Sequence, residues 1–350
     1  MNLVDWKELY AANQAAIARA RGGGGPEPLP HAMTLARRQP DARRSPAAGA
    51  GVWEELETAG GSRRTFVYTP PAVTTPAPLV VMLHGCTQTA EALASGTRMN
   101  ETADRHGFFV AYPQQTGEHN PAACWNWFEP GHQRRGAGEP AHVAGVVHSI
   151  AAATERWQVD RARIFAAGMS AGAAMAAVVA ATYPDVFAAV ALHSGLPYGA
   201  ASGQGAAFQL MRSGARDAGG LGDAVHAAMG AQARRVPALV VHGAADRTVA
   251  PVNGEQLAGQ WLAANRLADP DAGDLDPRRP SSTSSDAVPG GHRFTRTRWN
   301  ARDGGPIVEH LAIDGLGHAW SGGAAGGSYT DPDGPSATDA AWRFFAEATD

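Results

Sequence analysis

The sequence predicts an α/β protein, in which helices cover both faces of a mostly parallel β-sheet. Short apolar runs of strand length alternate along the chain with stretches whose apolar residues recur at helical spacing. Strands that are apolar throughout are typical of a parallel sheet that is buried on both faces. The composition, with 44% hydrophobic and 18% charged residues, agrees with a globular protein that has a substantial core.

The elements follow in order from this alternation, within one α/β domain expected over residues 52–350. Strands are predicted at residues 52–58, 63–68, 78–85, 108–112, 163–167, 186–192, 237–241, 293–299 and 307–313. Helices are predicted at residues 143–157, 171–182, 251–264 and 337–348.

Two regions interrupt the alternation. Residues 197–230 are rich in small residues, and the sequence leaves open whether they form a lid over a site. Residues 266–292 are polar and rich in proline, which predicts a mobile surface insertion.

Residues 1–51 are predicted to precede the sheet as an N-terminal helix and a linker. The first residues carry an interrupted apolar stripe, formed by Leu3, Trp6, Tyr10 and Ile17. A helix of this kind packs on its own domain or anchors the chain to an apolar surface, and the sequence leaves both open. Residues 21–51 are rich in glycine, proline and arginine without periodicity, as in a linker.

Charge and composition exclude several function classes. The net charge of −4 offers no basic field for nucleic acid, and no apolar run is long enough to span a bilayer. Lys7 is the only lysine, so the α/β domain has no lysine for a P-loop, a Schiff base or a Ser–Lys dyad. Without an HExxH motif or clustered cysteine and histidine ligands, neither a metal nor another cofactor is expected.

The string Gly168-Met169-Ser170-Ala171-Gly172 stands where a predicted strand meets a helix. In that context GxSxG is typical of a nucleophile elbow, because small flanking residues permit a sharp turn that projects the serine hydroxyl. The alternative is a serine that only caps a helix.

A serine nucleophile needs an imidazole base and an acid that orients it, and in this arrangement the acid and then the histidine follow the serine along the chain. Asp246 comes directly after a buried strand, and His318 lies in a glycine-rich loop after the last strand. These two are the candidates. The rivals are the acids Asp303 and Asp314 and the histidines His242, His292 and His310.

Acyl transfer also needs N–H donors for the oxyanion that forms on the carbonyl oxygen. One is expected from the residue after the serine, Ala171, and one from the loop after an earlier strand. In LHGCTQ, Gly85 lets the chain turn, so the N–H of Cys86 is the second candidate.

Several motifs together carry a family resemblance. They are PLVVMLHGCTQTAEAL, ACWNWF, GMSAGAAM, HGAADRTVAP, GLGHAWSGG and SYTDPDGPSAT. From about Arg63 to Phe345 the chain resembles the poly(3-hydroxybutyrate) depolymerase esterases, neighbours of the feruloyl and acetylxylan esterases of the α/β-hydrolase fold. The resemblance implies a carboxylic-ester hydrolase with Ser170, Asp246 and His318 as triad.

The same resemblance places the ACWNWF block at the substrate cleft. Trp125 and Trp127 would then supply flat apolar walls, with Asn126 as a polar contact, and Trp320 would line the pocket. The alternative for the tryptophans is core packing. Cys86 and Cys124 are expected to lie close together, either as a disulfide that braces the oxyanion loop or as two buried thiols.

The expected function is hydrolysis of esters, of the polyhydroxybutyrate type in the first place. Feruloyl, acetylxylan or general short-chain esters are the alternative. Acyl transfer to an alcohol, a peptide substrate, and a non-catalytic module that binds a ligand or a polyester granule are rival functions. The N-terminal residues lack the pattern of a secretory leader, which favours a cytoplasmic location, whereas the family resemblance favours an extracellular one.

Overall fold

The computed structural model describes residues 49–56 and 63–349. The predicted N-terminal helix and most of the predicted linker lie outside these residues. The strands are β1 Val52–Leu56, β2 Thr65–Thr69, β3 Ala77–Leu83, β4 Phe109–Pro113, β5 Val159–Met169, β6 Ala189–His193, β7 Ala238–Gly243, β8 Ser282–Ala287, β9 Arg293–Asn300, β10 Pro306–Ile313, β11 Trp320–Ser321 and β12 Thr330–Asp331. The helices are α1 Ala90–Thr97, α2 Met99–His106, α3 Gly138–Ala152, α4 Ala171–Thr182, α5 Gln204–Ser213, α6 Leu221–Met229, α7 Val252–Ala268 and α8 Ala337–Glu347.

The predicted α/β fold is confirmed. In the described part of the chain, ten strands form one sheet in the order β1-β2-β4-β3-β5-β6-β7-β10-β9-β8. The strands from β4 to β10 in this order pair in parallel, and antiparallel pairs close both edges. The central strands β3, β6 and β7 are buried along their whole length, as expected for a sheet covered on both faces.

Helices pack in two layers. In one layer α3, α4, α6 and α7 contact one another or the central strands, and in the other α1, α2 and α8 do so. The second layer holds a cluster of large apolar side chains, in which Phe165 of β5 stacks on Phe345 of α8 with ring centroids 4.5 Å apart. Burial of these rings supplies much of the apolar driving force for folding.

Residues 266–292, predicted to be a mobile surface insertion, contain regular structure in two places. Helix α7 continues to Ala268, and β8 adds an edge strand to the sheet by pairing with β9. All six residues of β8 are exposed, so its sequence shows no alternation of buried and exposed positions. The small-residue region 197–230 contains helices α5 and α6, and α6 packs against α7.

The topology brings the carboxyl ends of β3, β5, β6, β7 and β10 to one edge of the sheet, on five neighbouring strands. In parallel sheets, binding sites form outside this edge. Among the residues that the structure describes, no helix is both long and apolar enough to cross a membrane.

Candidate active site

Ser170 stands at a sharp turn between β5 and α4. Its backbone angles are φ 57° and ψ −121°, a conformation that residues other than glycine rarely adopt. The N–H of Ser170 donates to the carbonyl of His193 at the end of β6, at 2.9 Å. Ser170 is half-buried, so part of the residue is accessible to solvent. The sharp turn predicted for the GxSxG string is therefore present.

The two glycines of the string are required by close backbone contacts. A Cβ at Gly172 would lie 2.0 Å from the carbonyl oxygen of Leu83 in β3. A Cβ at Gly168 would lie 2.5 Å from the carbonyl group of Gly172. Since real Cβ atoms do not approach so closely, only glycine lets α4 start this near the strands.

Asp246 and His318, from the loops after β7 and β10, form a buried pair. His318 Nδ1 lies 2.7 Å from Asp246 Oδ2. The other carboxylate oxygen, Oδ1, accepts the N–H groups of Thr248 and Val249, each at 2.9 Å. Because both carboxylate oxygens are engaged by donors, the acid is held in one orientation towards the imidazole.

Electrostatics keeps Asp246 ionised. Burial acts to raise the pKa of its carboxyl, but His318, His242 and the N–H of Val249 together outweigh burial, and the pKa lies below its usual value. A carboxylate only accepts hydrogen bonds, so the proton of the shared bond sits on Nδ1 of His318. Nε2 is then the ring nitrogen that can accept a proton.

Close packing fixes the two loops against each other. A Cβ at Gly243 would lie 2.2 Å from the carbonyl oxygen of Leu316, so this glycine permits the loops to touch. The N–H of Ala245 donates to the same carbonyl at 3.0 Å, and the N–H of Ala244 donates to Ile313 at 2.8 Å. These contacts hold the Asp246 loop beside the His318 loop before any substrate arrives.

The loop after β3 passes close to Ser170. A Cβ added to Gly85 would lie 3.6 Å from Cβ of Ser170. Cys86, the next residue, forms a disulfide with Cys124, with their Cα atoms 4.2 Å apart. Of the two predicted states of these cysteines, the disulfide is the one present, and it joins the loop to the ACWNWF block.

His84 orients the peptide between Gly85 and Cys86. Its Nε2 accepts the backbone N–H of Gln115 at 3.0 Å, and its Nδ1 lies 2.8 Å from the carbonyl oxygen of Gly85. Burial lowers the pKa of His84 to about 4, so the ring is neutral and its single proton sits on Nδ1. In a trans peptide the C=O and the following N–H point in opposite directions. By binding the Gly85 carbonyl, His84 fixes the direction of the Cys86 N–H.

The four residues predicted to contact substrate make well-defined contacts within the protein. The indole N–H of Trp125 donates to the carbonyl of His84 at 3.1 Å, and the ring is fully buried. Trp127 is buried edge-to-face against Phe128. The indole N–H of Trp320 donates to Thr338 at 3.0 Å. Asn126 donates through its backbone and its side chain to the buried carboxylate of Glu139. A substrate contact for these residues stays a prediction.

Two further residues lie at the site without a sequence signal that points to them. His193 accepts the N–H of Ser321 at Nε2 and stacks on Trp320, and its carbonyl accepts Ser170, so it links the elbow to the His318 loop. Tyr329 lies edge-to-face to His318, with ring centroids 6.1 Å apart, and its hydroxyl is 3.4 Å from Thr87 Oγ1. The positive φ of Tyr329, 53°, marks a constrained backbone there.

An elbow serine and an aspartate–histidine pair in loops at the same carboxyl edge of a mostly parallel sheet are typical of an α/β-hydrolase, and the chain has this fold. A solved structure, an acetyl xylan esterase from Aspergillus awamori, shares this fold. It has a TM-score of 0.67 and 20% identity, and the match covers 85% of this chain and 100% of that chain.

Sequence comparison gives the family. The family model described as Esterase PHB depolymerase matches residues 64–286, and the chain belongs to this family. Poly(3-hydroxyalkanoate) depolymerase C of Paucimonas lemoignei is 36% identical over 262 residues, which are 74% of this chain and 58% of that protein. Feruloyl esterase B of Neurospora crassa is 33% identical over 208 residues, which are 57% of this chain and 68% of that protein. The chain thus spans less than two thirds of the depolymerase's length.

Proposed function

We propose that the chain is a serine carboxylesterase in which Ser170 is the nucleophile, His318 the base and Asp246 the acid that orients it. The observation that carries the proposal is the 2.7 Å bond between Asp246 and His318 Nδ1, in the loops after β7 and β10, at the same sheet edge as the strained turn of Ser170 after β5. Nothing in this set needs a lysine, a metal or another cofactor.

In the first half of the reaction, Nε2 of His318 takes the hydroxyl proton of Ser170 as Oγ attacks the ester carbonyl carbon. The carbonyl π bond opens, and its oxygen becomes an oxyanion that the N–H groups of Cys86 and Ala171 bind. Asp246 stabilises the imidazolium that forms. Collapse of the intermediate breaks the bond to the alcohol oxygen, which takes its proton from His318, and leaves the acyl group on Ser170.

In the second half, water enters in place of the alcohol. His318 removes one proton from the water as its oxygen attacks the acyl carbon, and the same N–H groups bind the second oxyanion. Cleavage of the bond to Ser170 Oγ, with return of the proton from His318, releases the carboxylic acid. Bonds and protons balance, and the net reaction consumes one water for each ester bond.

For the substrate, we propose polyesters or oligomers of the 3-hydroxybutyrate type. The observation that favours them is the 36% identity to a protein named for depolymerising poly(3-hydroxyalkanoate). The second candidate, a feruloyl or acetylated-xylan ester, rests on the 33% identity to a protein named feruloyl esterase and the 28% identity to a protein named acetylxylan esterase. Rates on hydroxybutyrate oligomers, methyl ferulate, acetylated xylan and p-nitrophenyl esters, compared in parallel, separate these candidates. Product analysis with added alcohol separates acyl transfer from hydrolysis.

The test of the nucleophile is Ser170→Ala with a short p-nitrophenyl ester. Turnover should fall by about 10⁴-fold or more, because the attacking hydroxyl is lost. Ser213→Ala is the matched control, since Ser213 is an exposed serine at the end of α5 and should leave turnover unchanged. Wild-type turnover in Ser170→Ala would reject the proposal. Undetectable turnover in the wild-type protein, with oligomer binding retained, would favour the non-catalytic alternative.

Docking on a polyester granule through the N-terminal residues is a separate proposal, and it rests on the apolar stripe of that segment. Deletion of residues 1–25 should reduce co-sedimentation with granules while leaving hydrolysis of p-nitrophenyl esters unchanged. Equal co-sedimentation of the full and shortened chains would end this proposal.

A further inference from the structure

A second buried acid, Glu139, lies in the first turn of α3. Its side chain has no solvent exposure. One oxygen accepts Arg63 Nη2 at 3.1 Å, Asn126 Nδ2 at 2.8 Å and Gln115 Nε2. The other accepts the backbone N–H of Asn126 at 2.6 Å. Every one of these partners is an N–H donor, so the site suits an ionised carboxylate and no neutral side chain of the same shape.

The donors bound to Glu139 belong to the segments that hold the oxyanion loop. Gln115 donates its backbone N–H to His84 and its side chain to the carbonyl of Cys124. Three successive residues of the ACWNWF block then attach to three different points. Cys124 is bonded to Cys86, Trp125 donates to the carbonyl of His84, and Asn126 donates to Glu139. The block therefore connects α3 to the oxyanion loop, which is the loop after β3 that contains Gly85 and Cys86.

We infer that Glu139 is a positioning residue for the esterase reaction, which through Gln115 and the ACWNWF block holds the Cys86 N–H in the direction that the oxyanion needs. The inference rests on the proposed function, because it assigns Glu139 a part in aiming one of the proposed donors. Glu139 touches neither Ser170, Asp246 nor His318 in the contacts described. Its effect therefore passes through the loop and not through the base.

Location in the first turn of a helix favours this anchor. Negative charge is stabilised near a helix N-terminus, and α3 has no side-chain cap of its own. The N–H of Glu139 is bound by His132 Nδ1 at 3.0 Å, which fixes the backbone of the residue as well as its side chain. Because both the backbone and the side chain of Glu139 are held in place, the residue is a rigid anchor for the loop after β3. Preorganised oxyanion donors require such rigidity.

The test is Glu139→Gln, which keeps the shape but turns an NH₂ group towards N–H donors. Active sites are counted by stoichiometric release of p-nitrophenol from diethyl p-nitrophenyl phosphate, and kcat is expressed per titrated site. We expect kcat per site to fall roughly 10- to 100-fold while KM changes by less than about threefold, because a misaimed donor weakens transition-state binding. The inhibition constant of phenylboronic acid, which forms a tetrahedral adduct with a nucleophilic serine, should rise along with the loss in kcat.

Glu118→Gln is the matched control, since Glu118 is exposed and the substitution removes the same charge; it should leave kcat per site unchanged. Normal kcat per site in Glu139→Gln, with only fewer titratable sites, would overturn the inference, because Glu139 would then serve folding alone. If Glu139→Gln does not fold, Asn126→Ala is used instead. We expect its kcat per titrated site to fall by about threefold or more, and an unchanged kcat per site would overturn the inference. Failure of Ser170→Ala to abolish turnover would instead count against the proposed function.

Discussion

At the scale of single residues, the GxSxG string has two structural roles, a sharp turn at the serine and a close approach between α4 and β3. The sequence pattern shows only that the flanking residues are small. Ser170 adopts a backbone conformation that is rare outside glycine, and the neighbouring glycines let α4 approach β3. Strained residues of this kind concentrate at functional sites, because the surrounding structure holds them in place.

Gly172→Ala tests that contact. The added Cβ would lie 2.0 Å from a backbone oxygen of β3, which cannot swing aside as a side chain would. We expect a loss of about 3 kcal/mol or more in the free energy of unfolding, measured by urea denaturation, together with loss of esterase activity.

The control is Gly145→Ala in α3, where an added Cβ meets nothing within 4 Å. This substitution should raise the free energy of unfolding by about 0.5–1 kcal/mol, because alanine loses less backbone entropy in a helix. Equal stability of Gly172→Ala and the wild type would show that the contact is not close.

The triad candidates could be chosen from the sequence because their order and their position after strands follow from the fold. Asp314 and Asp303, the rival acids, are exposed, and Asp303 pairs with Arg235, which supports the choice of Asp246. His84 and Glu139 could not be assigned in this way. Their roles depend on contacts with Gln115 and Trp125 that no local spacing encodes.

At the scale of elements, the strands at the centre of the sheet were predictable, and the exposed edge strand β8 was not. Apolar runs gave β3, β6 and β7 because those strands are buried on both faces. The strand β8 consists of exposed serine, threonine, aspartate and alanine, and only its pairing with β9 makes it a strand. Where the sequence pattern is weak, pairing with a neighbouring strand therefore determines whether a segment forms a β-strand.

The Cys86–Cys124 disulfide joins the loop after β3 to the ACWNWF block, and this link can be removed by substitution or by reduction. It closes a loop across a sequence separation of 38, so its loss in the double variant Cys86→Ser/Cys124→Ser should cost roughly 3–4 kcal/mol of unfolding free energy. We also expect kcat to fall, because Cys86 carries a proposed oxyanion donor. Urea denaturation and ester hydrolysis, each with and without a reductant on the wild type, measure both effects.

The double variant itself should be insensitive to the reductant, which controls for effects of the reductant elsewhere. A wild-type protein that keeps its stability and kcat after full reduction would show that hydrogen bonds alone hold the oxyanion loop, and would contradict this role of the disulfide.

At the scale of the whole molecule, buried neutral histidines make stability depend on pH. Burial lowers the pKa of His193 to about 3, and burial likewise lowers the pKa values of His84 and His310 to about 4. In the unfolded chain these groups have a pKa of about 6.5. The stability they contribute is complete above that pH, and it is lost as the pH falls towards the folded-state values.

The melting temperature should therefore fall steadily from pH 7 to pH 5, before most carboxylates titrate. Each histidine that stays neutral in the folded state adds a slope of at most about 1.4 kcal/mol per pH unit in this window. His310→Asn should reduce the slope, since it removes one of the three groups. A melting temperature that is constant between pH 7 and pH 5 would contradict this prediction.

Covalent labelling shows whether Ser170 is the nucleophile of an esterase. The protein is treated with diethyl p-nitrophenyl phosphate, and the modified residue is located by mass spectrometry of its peptides. We expect one diethylphosphoryl group per chain, on Ser170, with loss of ester hydrolysis in proportion to labelling. Complete inhibition with the label on another residue, or full labelling of Ser170 with hydrolysis unchanged, would contradict this assignment.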